Sequence, residues 1–454
     1  MKKITFLNHA SVLIQSNDNI ILTDPWYKKP AFGSWLSVPP CVYHPAYFIA
    51  LAKTNPKFTI VISHGHDDHF DDDFLNALPE EVTVLLPKFD SVGPRKRLER
   101  CGIKNIKEYD STGINHNGVE YKSFIFKDIS MDDAFITIAT DDFIVAHGND
   151  NWQELPDGVS NTVKADFANY NKSDRFFMSQ TNIADGFPLI YENYTPKEKN
   201  KLAKRRQDNM ILTSVKNALL VDSGAFLSYA GLALPFIKNR ENLLDEAYCK
   251  SLDYINNLLI ENNLDNSIVL DMVPGDSYDF NKVHKLFGKQ YYDHNEIKEA
   301  SINFYKEYKW IDSCDTYQRV LYFNRKSLQI RSEKKNEYLE LFLTEFKKFV
   351  ETKFEETDYQ KDIFNTKLTF KDDEVSRSIS FNDDAEIDVT FTFDVVPMEK
   401  ILTGKLNWEC CYVGYESTVS VNGDHNISSL IRWLSMFGYV YQQRLLPSIA
   451  GEIL

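Results

Sequence analysis

The chain has 454 residues, 43% of them hydrophobic and 13% aromatic, and a net charge of −15 at pH 7. That length exceeds one ordinary core, so two or three domains are expected, and the apolar content excludes a disordered chain. The acidic balance argues against a general nucleic-acid binder, since dense basic runs are confined to 95–100 and 197–206, read as solvated helix faces.

Met1-Lys2-Lys3 turns polar by Asn8, so no signal-peptide core follows the lysines. Short apolar runs at 4–7, 11–14 and 20–22 predict three strands, with Ser16-Asn17-Asp18-Asn19 as a hairpin turn. Residues 58–62 predict a buried strand feeding into a histidine-rich run. A helix over 72–78, a strand over 82–86 and a helix over 92–101 follow, then strands at 119–126, 134–139 and 143–146. The charged stretch 194–217 predicts an exposed helix, 217–221 a short strand ending at Asp222-Ser223-Gly224, and 269–273 another closed by Pro274-Gly275-Asp276. Helices are expected at 296–308 and 334–356. Strands at 367–370, 375–381 and 385–395 come next, then a helix with Met398 and Leu402, and a closing helix over 430–441. Mixed strands and helices over the first part predict layered α/β packing, with a boundary near 325.

Six cysteines are scattered, only Cys410 and Cys411 being close, and no Cys-x-x-Cys pair exists. Neither a zinc ribbon nor a redox motif is supported, and the pattern fits a reducing cytoplasm. No window of eighteen apolar residues argues for a membrane span. The aromatic patch 43–48 reads as core or pocket wall. A Gly-x-Ser-x-Gly elbow, a Walker loop and a Gly-x-Gly-x-x-Gly run are all missing from the sequence.

The run His64-Gly65-His66-Asp67-Asp68-His69 puts four ligating side chains within six residues at a strand end. Imidazole and carboxylate suit zinc, iron or manganese. In such a turn, residues two apart converge on one ion while the following Asp and His reach toward a second.

The run resembles the His-x-His-x-Asp-His signature of the metallo-β-lactamase superfamily, and residues 6–14 with Leu22-Thr23-Asp24-Pro25-Trp26 resemble its opening hairpin. More narrowly, the chain is similar to the cytidine-monophosphate-N-acetylneuraminate hydroxylases beyond their Rieske domain. Asp24-Pro25-Trp26, residues 31–35, Asn149-Asp150, Gly186-Phe187-Pro188, residues 223–226, Pro274-Gly275-Asp276, Asn407-Trp408 and Val413-Gly414-Tyr415 carry that similarity. The resemblance implies a four-layer αββα sandwich of the α/β class over 1–325. A C-terminal α+β domain over 326–454 distantly resembles a sterol-carrier-like module, with turns at Gly404-Lys405-Leu406 and Asn422-Gly423-Asp424.

It further implies that His64 and His66 bind a first metal, Asp68 and His69 a second, and that Asp150 bridges them. Asp68 and Asp150 would be the catalytic carboxylates, His147 a further ligand or a partner beside Asp150, and His9 and Asp24 supports behind the ligands. Superfamily hydrolases supply a histidine just before the strand that starts here near Ala134. This chain offers only carboxylates there, with Asp128 or Asp132 the substitutes, and Asp222 in place of a later histidine. More oxygen ligands favour iron or manganese over zinc.

The leading expectation is a hydrolase using a metal-bound hydroxide on an anionic, nucleotide-activated sugar, with one or two divalent ions (Zn, Fe or Mn) and Lys127, Lys172 and Arg175 as anion contacts. An iron-dependent oxygenase subunit is the alternative. It would need a separate Rieske electron donor, because only Cys41-Val42-Tyr43-His44 brings a cysteine and a histidine close. A third reading is a non-catalytic scaffold with a degenerate site. The partner expectations are an anionic small molecule, an electron donor and a homodimer, with no nucleic acid or membrane.

Overall fold

The computed structural model describes residues 2–27, 31–32, 35–37, 40–90, 92–125, 133–151, 153–183, 186–229, 233–235, 252–286, 332–353, 363–370, 376–379, 386–393, 408–415 and 417–440. From the N-terminus, β1 (Lys2–Asn8), β2 (Ser11–Ser16) and β3 (Asn19–Thr23) form an antiparallel meander. After β4 (Trp35–Ser37) and α1 (Pro45–Thr54), β5 (Phe58–Val61) pairs parallel to β3. With α2 (Asp72–Leu75) and α3 (Gly93–Arg100) between them, β6 (Thr83–Pro87) and β7 (Asn105–Tyr109) extend this sheet by parallel strands.

A second sheet begins with β8 (Ile114–His116), β9 (Val119–Ile125), β10 (Ala134–Ala139) and β11 (Ile144–His147), each antiparallel to the one before. Two parallel strands complete it: β12 (Arg175–Gln180) follows α4 (Asp157–Phe167), and β13 (Ala225–Tyr229) follows α5 (Pro196–Leu220). β14 (Ala233–Pro235) pairs with β4, and beyond α6 (Leu252–Glu261) the strands β15 (Ser277–Tyr278) and β16 (Val283–His284) return to the first sheet. The two sheets run β16-β15-β1-β2-β3-β5-β6-β7 and β13-β12-β11-β10-β9-β8.

Burial resolves the layers. One core joins the facing sides of the sheets, with Ile4, Phe6 and Ile14 against Ile136, Phe176 and Leu227, and also takes Phe48, Phe74 and Leu98 from α1 to α3. A second core packs Phe135, Ile144 and Phe177 of the other sheet face against Phe167, Val215 and Leu259 of α4, α5 and α6. Helices therefore cover both outer faces, the four-layer α/β sandwich that the resemblance implies. Each fully buried large apolar side chain contributes about 2–3 kcal/mol.

Beyond these layers stand α7 (Ser332–Lys353), β17 (Thr366–Phe370), β18 (Ser376–Ile379), β19 (Val389–Phe393), α8 (Glu409–Tyr412), β20 (Ser417–Val421) and α9 (Ile427–Val440). Their sheet runs β18-β17-β19-β20, with β17 and β19 parallel. Its core of Phe346, Trp408, Trp433 and Phe437 is continuous with Trp35, Phe187 and Tyr191. The indole N–H of Trp35 donates to Val413 O at 2.8 Å, and Val419 exchanges backbone bonds with Ile190 and Glu192.

Several expectations change. Residues 217–220 are the last turn of α5 rather than a strand. That helix starts on a Thr195–Glu198 capping box with Pro196 behind it, and it ends where Asp222 takes φ +58°. Residues 269–273 form no strand; Val269 makes only an isolated bridge to Phe226. The helix expected over 72–78 stops at Leu75. The helix at 296–308, the helix with Met398 and Leu402, the boundary near 325 and the 404–406 turn lie outside the described residues, whereas Gly423 does take a turn at φ +87°. No helix among the described residues is long and apolar enough to cross a membrane.

Candidate metal centre

Strand direction brings the chemistry to one edge. β3 and β5 are parallel neighbours, so Asp24 and the Ser63–His69 run both leave the same end of the first sheet. The β1–β2 hairpin folds His9 back beside them, with Ser11 Oγ donating to Thr23 O at 2.6 Å. In the second sheet, β10 runs antiparallel to β11 with Ile136 opposite His147. Asp133, before β10, therefore meets Asp150, after β11. His9 and Asp24 both sit at φ +37° and Asn149 at +55°, a backbone region that costs a side-chain-bearing residue about 1–3 kcal/mol and gathers at functional sites.

Two groups of ligand atoms result, each with its members within 4.8 Å of one another: His64, His66 and Asp150, and His9, Asp68 and His69. In the first, His64 Nε2 lies 2.6 Å from His66 Nδ1, 3.4 Å from Asp133 Oδ1 and 3.6 Å from Asp150 Oδ2. In the second, His9 Nε2 lies 2.9 Å from Asp68 Oδ2, and His69 Nε2 lies 3.8 Å from that oxygen. The other oxygen of Asp150, Oδ1, lies 3.3 Å from His69 Nε2, so one carboxylate faces both groups. Asp68 Oδ1, His69 Nε2 and Asp150 Oδ1 are buried without a hydrogen-bond partner. Leaving such atoms unsatisfied costs about 1–3 kcal/mol each, more when charged, and a cation at their convergence removes that cost. Nitrogen and oxygen donors of this kind fit Zn, Fe or Mn.

Behind the ligands, Asp24 is fully buried. It accepts from Ser63 N and Ser63 Oγ at 2.7 Å each and faces His69 Nδ1 at 3.0 Å, leaving His69 Nε2 turned toward Asp150. Ser63 Oγ and the Asn149 amide each lie 3.0 Å from His64 Nδ1, fixing that ring in the same way. Burial, with His69 and His66 alongside, pushes His64 well below the usual histidine range. Burial opposes the charge on His69 too, but Asp150, Asp68 and Asp24 hold it well above that range. Asp150 is held well below the ordinary carboxylate range, against its burial, by His69, His66 and His64.

Most of the sequence-predicted residues meet here: His64, His66, Asp68, His69 and Asp150 as donors, with Asp24 behind them, while His9, expected as a support, falls inside the second ligand group. His147 is different. Its Nδ1 lies 2.7 Å from the Tyr229 hydroxyl, and its Nε2, also buried without a hydrogen-bond partner, lies 3.1 Å from Asp24 Oδ2, which places His147 beside Asp24 and outside the two ligand groups. Asp222 sits at the opposite end of the second sheet, paired with Lys172 at 3.1 Å and with Arg175, which removes it as a ligand and those two cations as anion contacts. Asp128, Asp132 and Lys127 lie outside the described residues.

Asp133, which follows Asp128 and Asp132, stands 3.4 Å from His64 Nε2 without belonging to either ligand group. Its signal was local, the last carboxylate before the strand at Ala134. Tyr229 was missed because β13 was not predicted.

Residues 3–134 match the family model described as a Beta-lactamase superfamily domain. The chain is 33% identical over 107 residues, 23% of its own length and 20% of the relative's, to a protein of Mycolicibacterium smegmatis described as a Rieske 2Fe-2S iron-sulfur protein. It is 28% identical over 256 residues, 50% of this chain and 34% of the relative, to the cytidine monophosphate-N-acetylneuraminic acid hydroxylase of Asterias rubens. The chain thus spans about a fifth to a third of the length of these curated relatives. Among solved structures, a diiron β-hydroxylase from Streptomyces venezuelae aligns with TM-score 0.40 at 13% identity, over 63% of this chain and 54% of that one. An isothiocyanate hydrolase from Delia radicum gut bacteria aligns with TM-score 0.39 at 11% identity, over 61% of this chain and 98% of that one.

Proposed function

We propose, on the premise that the chain belongs over residues 3–134 to the β-lactamase superfamily, that it is a dinuclear iron enzyme that hydroxylates an anionic small molecule with electrons from a separate donor. The observation that carries this is Asp133. It stands 3.4 Å from His64 Nε2, where the superfamily's hydrolases place a histidine, and gives His64 and His66 two carboxylate companions. Two imidazoles with carboxylates and open positions are the donor set of non-haem iron oxygenases. The 28% identity to a hydroxylase over half the chain supports the same direction.

Iron bound in such a set supplies oxygen activation. The protein's own residues do the rest: Ser63 and Asn149 fix His64, Asp24 fixes His69, and Asp150 offers one oxygen to each group. Full burial of His64 and His69 excludes bulk water from that side, while His66, with 28% of its side chain exposed, marks the open side.

Hydrolysis is the second reading. A carboxylate shared between two ligand groups is also the arrangement of two-metal hydrolases. Metal analysis of the purified protein with assays for both activities tests the choice. Stoichiometric iron with substrate-dependent oxygen consumption is the expected result. Zinc or manganese with esterase or phosphodiesterase turnover would replace oxygenation by hydrolysis. Trace metal only, well under one equivalent, would sink both readings in favour of a scaffold. The His64→Ala/His66→Ala variant is expected to lose activity by at least ~100-fold, and full retention would refute the site.

A further inference from the structure

The basic run on α3 holds one arginine that is not solvated. The Arg97 side chain is 11% exposed and reaches under the loop that carries His66, Asp68 and His69. Nη2 donates to Asp67 Oδ1 at 2.8 Å and Nη1 to Gly65 O at 2.6 Å. Nε and Nη2 donate to the two oxygens of Asp72 at 2.7 Å each. Nη2 also approaches Phe70 O at 3.3 Å, and the guanidinium lies 4.3 Å from the Phe70 ring centroid. All these contacts fall between Gly65 and Asp72. From the other side, Phe32 N donates to Asp67 Oδ2 at 3.3 Å, so Asp67 is held between α3 and the segment after β3. Gly65 lies against the same helix, where an added Cβ would come 3.3 Å from Pro94 Cγ.

A planar guanidinium bonded in several directions at once fixes orientation as well as distance, which an ammonium does not. Asp67 faces Arg97 and Phe32 rather than the metal groups, although it lies inside the motif. We propose that Arg97 and Asp67 form a positioning clamp that sets His66, Asp68 and His69 at the geometry that takes up metal. The inference rests on the metal-centre reading above, and its test keeps the two apart.

The sign of one effect separates a clamp from simple charge. Arg97→Met removes a positive charge near the cation site, so electrostatics alone would tighten metal binding. A clamp predicts the opposite, a loss of about 10–100-fold. Arg97→Lys keeps the charge and loses the fork, and is expected to weaken binding nearly as much. Asp67→Asn weakens the Asp67 end of the clamp while leaving the Arg97 bonds to Gly65 O and Asp72. It also removes a negative charge, so its altered cobalt spectrum, and not weaker binding alone, serves if Arg97→Met does not fold.

Each full-length variant would be titrated with iron(II) and cobalt(II) against a competing chelator. The visible spectrum of the cobalt form reports ligand geometry, and circular dichroism and thermal unfolding in chelator report the metal-free fold. The expected result is weakened binding and an altered cobalt spectrum in all three variants, with the metal-free fold retained. Wild-type or tighter affinity in both Arg97 variants, with an unchanged spectrum, overturns the clamp. A wild-type protein that takes up no metal overturns the metal-centre reading and the clamp with it.

Discussion

His69 sets the proton cost of loading the centre. Its Nε2 must be bare to bind metal, yet Asp150, Asp68 and Asp24 hold it protonated well above the usual histidine range in the metal-free protein. His64 lies the other way and is already neutral near pH 7. Metal uptake should therefore release about one proton from His69, and affinity should rise as pH increases from 6 to 8. Calorimetric titrations in buffers of different ionisation enthalpy count that proton; uptake with none released and no pH dependence would contradict the assignment. Asp24→Asn tests the support behind the same ring. It turns an acceptor for His69 Nδ1 into an amide, and a loss of ~10–100-fold in metal affinity is expected by chelator competition. At this scale, what could be read from the sequence was what lies close in the chain. His64 to His69 declare themselves within six residues, and Asp150 follows a recognisable strand. Asp133 was not singled out among the carboxylates ahead of Ala134, because its approach to His64 depends on the pairing of β10 with β11. Adjacency to Asp150 left His147 open as a ligand or a partner; only the tertiary placement of Tyr229 and Asp24 around it shows where its nitrogens lie.

Among the elements, the opening meander, β5, β10 and the long helices were legible, since their periodicity and caps are local. β12 and β13 were not. Both are buried in the second sheet, where parallel pairing removes the apolar–polar alternation, and the apolar run Phe176-Phe177-Met178 is too short to declare a strand despite the turn ahead of it. The last turn of α5 was read as a strand for a related reason: Ala218 and Val221 are buried against the sheet, so the segment is apolar whichever structure it adopts. The turn from α5 into β13 has no spare room. A Cβ at Gly224 would lie 1.9 Å from the backbone oxygen of Lys172, a clash that side-chain rearrangement cannot relieve. Gly224→Ala should destabilise by about 3 kcal/mol or more and lower the thermal midpoint by roughly 3–5 °C. A differential scanning measurement showing a shift under ~2 °C would mean that the turn yields more easily than this packing implies.

For the whole molecule, strand and helix patterning predicted layered α/β packing and the family resemblance implied the four-layer sandwich, but the seam between it and the last sheet could not be read. The contacts that form that seam join residues hundreds of positions apart. Trp35 packs at 5.4 Å from Tyr415 and reaches Val413 O, Tyr191 bridges to Val419, and Phe32 beside Trp35 lies 6.1 Å from the His66 ring. One apolar cluster therefore runs from α7, β19 and α9 to the rim of the metal centre. Chains with separate cores commonly unfold in steps, whereas a shared core couples them. Trp35 is the side chain to remove, since it contributes both the packing and the hydrogen bond. Trp35→Ala should cost about 3–5 kcal/mol and split the unfolding of the sandwich from that of the last sheet. Trp35→Phe keeps most of the packing and strands Val413 O, for about 1–3 kcal/mol. Denaturant unfolding followed by tryptophan fluorescence and by far-ultraviolet circular dichroism distinguishes the outcomes. Coincident curves in wild type that separate in Trp35→Ala are expected. Curves that stay superimposed in Trp35→Ala would place the coupling in the Tyr191–Val419 bridge, where it rests on backbone bonds that no side-chain substitution at position 35 removes.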